Sequence, residues 1–296
     1  SVESLKPIHI SRDRERMRAS STTESEKTQL EQFLAVWWRG SQTDYVHSSD
    51  VGLLISTVLQ STLQNIVKAN QLIQEIKGHQ LTIYGVERGS PLDLVAAADA
   101  AWTKGPDNSS STGGIVIAAA LPNLKKGELC GINLLSWRSY KIDRSSRNPV
   151  CAETHAVVDG EDEFVMLVLV EMHLSPSLTA KMDVDQVVRQ SPGILVTDSA
   201  TCMQVVQGYP SDKRGRTLTD IEALTVEESM ASTRLMLRWV HSDAQLANSN
   251  TKPSEKHQVH LFQKLKSHWR IVFNPAMLSA HRRRDRKSTR LNSSHV

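Results

Sequence analysis

The sequence is poor in the features that mark secreted and membrane-bound chains. Its 296 residues include only three cysteines, Cys130, Cys151 and Cys202. Their number is odd and their spacing is not that of a metal site, so neither a disulfide framework nor a thiolate zinc site is expected. They read as small core residues. No apolar run approaches the roughly 18 uncharged residues of a membrane span, and Ser1-Val2-Glu3-Ser4-Leu5-Lys6 has no apolar signal-peptide stretch. An intracellular chain with no membrane partner is therefore expected. Aromatic residues make up 5% and hydrophobic residues 39% of the chain, which suffices for an aliphatic core in one or two domains.

Strong net charge is absent as well. The formal charge is +3. Residues 285–296 resemble a sequencing-adapter read translated in frame, and such a segment is set aside from fold reasoning. Its removal takes away three cations, Arg286, Lys287 and Arg290, and one acid, Asp285, which leaves +1. No global positive field marks a polyanion binder, so a nucleic acid must be held by local patches. One candidate is 261–284, which contains no Asp or Glu and carries Lys264, Lys266, Arg270, Arg282, Arg283 and Arg284 around Phe262, Trp269 and Phe273. Basic groups mixed with aromatic ones suit a phosphate backbone and its bases. A solvated helix with a frayed basic end is the alternative.

Residues 1–26 are polar and Ser-rich, which predicts an unstructured linker. From 27 to 79 apolar residues recur at three and four spacing, among them Leu54, Val58, Ile66, Leu72 and Ile73, which predicts helices ending near Gly78. The pattern then changes to alternating strands and helices. Strands are predicted at 92–102, 113–121 and 130–139, joined as an antiparallel ribbon by turns at Pro106-Asp107-Asn108 and Pro122-Asn123. A long helix at 150–174, a strand at 193–197, a short helix at 201–208, a helix at 219–233 and a strand at 235–240 follow.

Three carboxylates stand out against this pattern. Asp99 lies in the apolar run Leu94-Val95-Ala96-Ala97-Ala98-Asp99-Ala100-Ala101-Trp102, Asp198 ends the run Gly193-Ile194-Leu195-Val196-Thr197, and Glu153 opens the long helix. Acids at such points incur the cost of burying charge, which a bound cation or an ion pair offsets.

Six pieces then carry a resemblance. Asp99-Ala100-Ala101-Trp102, Ser111-Thr112-Gly113-Gly114, Leu135-Ser136-Trp137-Arg138-Ser139, Ala152-Glu153, Val196-Thr197-Asp198, and Gln245-Leu246-Ala247-Asn248 with Thr251-Lys252 follow one another over residues 91–260. In that order they resemble the ribonuclease H domain of copia-type retrotransposon Pol polyproteins. Residues 27–90, with Ala69-Asn70-Gln71-Leu72-Ile73, resemble the helical end of the reverse transcriptase that precedes it. No Tyr-x-Asp-Asp occurs, and Tyr45-Val46-His47-Ser48 is not one, so DNA synthesis by this chain alone is excluded.

The resemblance implies an α/β fold, a ribonuclease H-like mixed five-stranded sheet with helices on both faces, preceded by a small helical segment. It also implies a hydrolase that cuts the RNA strand of RNA/DNA hybrids with two Mg²⁺ ions, Mn²⁺ being the substitute. The location would be a cytoplasmic particle or the nucleus. Asp99 would bridge the two ions, Glu153 would hold one and Asp198 the other. Oxygen donors are what such hard cations take.

The fourth position departs from the family pattern. Asn248 stands where Asp is usual, which removes one negative charge and is expected to attenuate or abolish activity. Asp243 is either a partial substitute or an exposed turn acid. His241 is either a proton shuttle for product release or a loop histidine. Arg138, Lys141 and Arg144 are expected to contact phosphates, with 2′-hydroxyl contacts selecting the RNA strand. Arg147 would either join them or pair with the long helix. A catalytically decayed retroelement remnant and a non-catalytic nucleic-acid-binding module stay open beside the nuclease.

Overall fold

The structure, a computed structural model, describes residues 6–40, 45, 47–76, 83–85, 92–102, 111–120, 122–143, 146–174, 183–207, 216–252 and 268–271. Arg144, Lys264, Lys266 and most of the basic stretch at 261–284 lie outside them, as do residues 285–296.

Four helices come first: α1 (Arg12–Glu15), α2 (Glu24–Gly40), α3 (Ser48–Thr57) and α4 (Leu63–Ile76). Their apolar faces close a small core of Leu30, Phe33, Leu34, Val51, Leu54, Leu63, Ile66, Leu72 and Ile73. The expectation of an unstructured linker over 1–26 is corrected from residue 6 onward. Ile8 is buried in that core, and its backbone exchanges two hydrogen bonds with the Asn70 side chain, at 2.7 and 2.9 Å. The Arg14 guanidinium forks onto Glu26 at 2.9 and 2.8 Å and holds that carboxyl down at about 2. Thr23 and Glu26 form a reciprocal capping box at the start of α2. One buried isoleucine, one bidentate pair and one cap order the segment, and none of them makes the stretch read as apolar.

The remaining elements are β1 (Asp93–Ala101), β2 (Thr112–Ala120), β3 (Ile132–Lys141), α5 (Pro149–Leu174), α6 (Val184–Gln190), β4 (Pro192–Thr197), α7 (Ala200–Val206), α8 (Arg216–Ser232), β5 (Arg234–Trp239) and a single turn, α9 (Asn248–Thr251). The five strands form one sheet in the order β3-β2-β1-β4-β5. β1 pairs antiparallel with β2, and β2 with β3, whereas β1 pairs parallel with β4, and β4 with β5. This is the ribonuclease H-like mixed sheet expected from the sequence.

β1 is the central strand and all nine of its residues are buried, which is why it reads as a continuous apolar run and not as an alternation. Leu94, Ala96, Ala98 and Ala100 face one core, with Ala156, Val157, Phe164, Val168 and Val206. Val95 and Ala97 face the other, with Tyr45, Leu124, Leu246 and Ala247. α5 covers the first face, and the second is covered by these residues and by the single turn α9 that follows Ala247. Gly193 leaves room for the Phe164 ring, which any Cβ at that position would strike. The three cysteines are free and buried. Among the described residues no helix is long and apolar enough to cross a membrane.

Candidate metal centre

Asp99 lies near the carboxyl end of β1, and Asp198 directly follows its parallel neighbour β4. In open α/β sheets this is the end at which ligands bind. Glu153 lies one turn into α5, whose start is fixed by Asn148: its Oδ1 accepts from the Cys151 N–H at 2.8 Å, with Pro149 as the first helical residue. After Asp198 the chain turns into α7, capped by Ser199, whose Oγ accepts from the Cys202 N–H at 3.2 Å. The Trp239 indole donates to the Asp198 carbonyl at 2.8 Å and ties this turn to β5.

An oxygen from each of Asp99, Glu153 and Asp198 lies within 4.8 Å of the others. Asp99 is fully buried. Burial pushes the Glu153 carboxyl up to about 9, the charges of Asp99 and Asp198 push in the same direction, and Lys252 and the Ala100 N–H act against them. Burial and Asp99 raise Asp198 to about 6, with Lys252 again opposing. The two rises have one origin, negative charges crowded in a dry site, so the protons belong to the cluster more than to either residue. Glu153 Oε2 is buried and has no hydrogen-bond partner among the described residues. Clustered carboxylates with an orphaned oxygen, and no thiolate in the set, fit a hard divalent cation such as Mg²⁺ or Mn²⁺.

The segment after β5 completes the site. Gln245 is buried and its amide donates to the Ala98 carbonyl at 2.8 Å. Thr251 Oγ1 donates to Asp99 Oδ2. The Lys252 ammonium lies 3.3 Å from Asp99 Oδ1, 3.2 Å from Oδ2 and 2.5 Å from Asn248 Oδ1. Gly114, paired with Asp99 in the sheet, makes this approach possible, since a Cβ there would stand 2.8 Å from Asn250 Cβ and Thr251 Cγ2. Thr251, Lys252 and Gly114 belong to the motifs quoted above, yet their contacts with Asp99 or with this segment were not expected from the sequence. Nothing in the local sequence marks the contacts of Gln245 and Asn250 with the sheet.

The Asn248 side chain meets the cluster through Lys252, and its backbone carbonyl through Thr251 Oγ1 at 3.4 Å. Its Nδ2 donates to the Ser242 carbonyl at 2.6 Å, which turns Oδ1 toward the ammonium. Asp243 is exposed on the turn Ser242–Ala244 and faces His241 Nδ1 at 3.3 Å. The half-buried His241 stands edge-on to Trp239 just past β5.

Arg138 and Lys141 are exposed on β3, and Arg270 is exposed beside Trp269, which bridges to Cys130. Arg138 lies over the Tyr140 ring at 4.5 Å from its centre, and its charge acts on Asp162 of α5. Tyr140 donates to Asp159 at 2.5 Å and Ser136 to Glu163 at 2.7 Å. The patch around Arg138 is therefore mixed in charge and not simply basic.

No family model matches the chain, and no curated protein matches it either. Among solved structures, an N-terminal RNase H domain from Mycobacterium tuberculosis, studied as a fusion with maltose-binding protein, is similar at 15% identity and a TM-score of 0.36, over 57% of this chain and 96% of that one. LC11-RNase H1 in complex with an RNA/DNA hybrid is similar at 12% identity and a TM-score of 0.34, over 56% and 99%. RNase H1 from the halophilic archaeon Halobacterium salinarum NRC-1 is similar at 10% identity and a TM-score of 0.33, over 52% and 90%. Likeness at these scores is weak, and the fold is carried by the strand order and pairing of this chain's own sheet.

Proposed function

We propose that the chain is a divalent-cation-dependent nuclease of ribonuclease H type, which hydrolyses the RNA strand of RNA/DNA hybrids as part of a copia-type Pol polyprotein. The observation that carries this reading is the meeting of Asp99, Glu153 and Asp198 within 4.8 Å at the carboxyl ends of two parallel strands. Mg²⁺, when bound, would supply activation of the attacking water and neutralisation of the leaving 3′-oxygen.

The chain's own residues hold and orient. Asp99, Glu153 and Asp198, deprotonated, are the oxygen donors. Thr251 and Lys252 fix the rotamer of Asp99 by engaging its two oxygens. Gln245 pins the following segment to the Ala98 carbonyl of β1. Lys141 and Arg138, on the edge strand, are the phosphate contacts this reading assigns among the described residues; Arg270 joins them, while Arg144, Lys264 and Lys266 lie outside the described residues. His241 is assigned no proton.

A second reading has one observation in its favour. Asn248 is neutral and is held by Ser242 and Lys252, which suits a decayed remnant that retains the fold. The full chain, given a hybrid labelled on its RNA strand, separates the two. Cutting of the RNA strand with Mg²⁺, abolished by chelator and absent on single-stranded RNA, is expected. Cation binding without any cutting would leave the remnant reading standing alone, and absence of cation binding would remove the proposed site.

A further inference from the structure

We propose that the Lys252 ammonium holds the second cation's place at Asp99, so that the centre takes one divalent ion and not two. The inference rests on the reading that the three carboxylates bind a cation, and it assigns the number of such ions and the residue that replaces the other.

The ammonium has three donors. It meets three oxygens here: Asp99 Oδ1, Asp99 Oδ2 and Asn248 Oδ1, at 3.3, 3.2 and 2.5 Å. Those oxygens belong to Asp99, the acid expected to bridge two ions, and to Asn248, the position where an acid was expected. A divalent ion bonded to Asp99 on that side would sit about 2.0–2.1 Å from the same oxygen, in the volume the ammonium fills.

Lys252 is not a loose surface cation. Its side chain is 30% exposed, and its backbone N–H donates to the Asn248 carbonyl at 2.9 Å. Its neighbour Thr251 holds Asp99 Oδ2 from the adjacent position. Asn250, one residue earlier, donates to the Ile115 and Arg138 carbonyls at 3.0 and 3.3 Å and so anchors the segment to β2 and β3.

Charge arithmetic agrees with this geometry. The three ionised carboxylates carry three negative charges, which one divalent ion and one ammonium neutralise. Two divalent ions beside Lys252 would leave two positive charges in excess in a site where Asp99 has no contact with water, a costly state at low dielectric. Asn248 in place of an acid matches a singly charged neighbour, and its amide is turned toward that neighbour by Ser242.

The test counts ions on the full-length chain by titrating Mn²⁺ and following the free aqueous ion by electron paramagnetic resonance. The native chain is expected to bind one Mn²⁺. Lys252→Gln and Lys252→Met remove the charge while keeping much of the length, and each is expected to tighten the first ion about tenfold. The double variant Lys252→Met with Asn248→Asp is expected to bind two, whereas Lys252→Arg, which keeps the charge, stays at one. Circular dichroism melting of each variant checks that it is folded. Two ions on the native chain, or one on the folded double variant, would overturn the assignment of Lys252. Absence of binding by the native chain and every variant would overturn the cation reading itself, and this inference with it.

Discussion

The hydroxyl of Ser48 donates to Asn250 Oδ1 at 2.9 Å, and this bond joins the N-terminal helices to the segment that carries Thr251 and Lys252. Both residues are buried, and 202 positions separate them. From the sheet side, Ser139 of β3 donates its hydroxyl to the Asn250 carbonyl at 2.6 Å. The helical module is thus a support for one wall of the candidate centre.

Asn250→Ala would strip partners from the carbonyls of Ile115 and Arg138 and from Ser48 at once. A loss of about 2 kcal/mol is expected, since a buried group left without its partner costs about 1–3 kcal/mol. Urea unfolding of the native and variant chains measures it. A change below about 0.5 kcal/mol, the usual size for surface substitutions, would show that Asn250 does not anchor the segment.

Gly114→Ala places a methyl group 2.8 Å from Asn250 Cβ and Thr251 Cγ2. The segment must then move away from β2, at a cost of about 1–3 kcal/mol for an overpacked site, and Thr251 and Lys252 lose their positions at Asp99. Lower stability together with a changed Mn²⁺ affinity is the expected pair of results. Unchanged Mn²⁺ binding in a folded variant would separate the fit at Gly114 from the centre.

Without a divalent cation the chain should lose stability as pH rises. The carboxyls of Glu153, at about 9, and Asp198, at about 6, hold protons more tightly folded than unfolded. Where the native state binds more protons, stability falls with increasing pH. The decline should therefore begin near the ordinary carboxyl range and continue to about pH 9. Mg²⁺ binds the deprotonated cluster and stabilises the fold by mass action, so melting temperatures in millimolar Mg²⁺ should flatten across that window. A metal-free melting temperature that rises from pH 5 to 9 would contradict the crowding of these acids.

Asp198→Asn removes one donor charge from the cluster and is expected to lower hybrid cleavage by at least roughly a hundredfold, about 2.7 kcal/mol at the transition state. Asn248→Asp alone is expected to change the rate by less than about threefold, because the new carboxylate meets Lys252 before it meets an ion. Single-turnover cleavage of a labelled hybrid distinguishes these results. A gain of about tenfold in Asn248→Asp would show that the fourth position reaches the reaction past Lys252.

The sheet and its three acids were legible because their signals are local. An apolar strand run around Asp99 and another just before Asp198 mark those two acids, and the start of the long helix marks Glu153. Lys252 was not legible as their partner, because its contact with Asp99 spans 153 positions and depends on the absent side chain of Gly114. The order of residues 6–26 was hidden for a different reason. It rests on one isoleucine and on polar pairs such as Arg14 with Glu26, which composition counts as solubility. Arg138 reads as a phosphate contact, and only the bonds from Ser136 and Tyr140 of β3 to α5 bring its acid neighbours near.

The position of Lys252 along the chain also sets an order of events during synthesis. All five strands and all three acids have left the ribosome by Trp239, thirteen residues before the ammonium that meets Asp99. A sheet that closed at that stage would gather its negative charges with no resident counter-charge. It would close by keeping protons on the cluster or by capturing a cation from solution, and Lys252, once it arrives, offsets one of the three negative charges and leaves the others to the same two means.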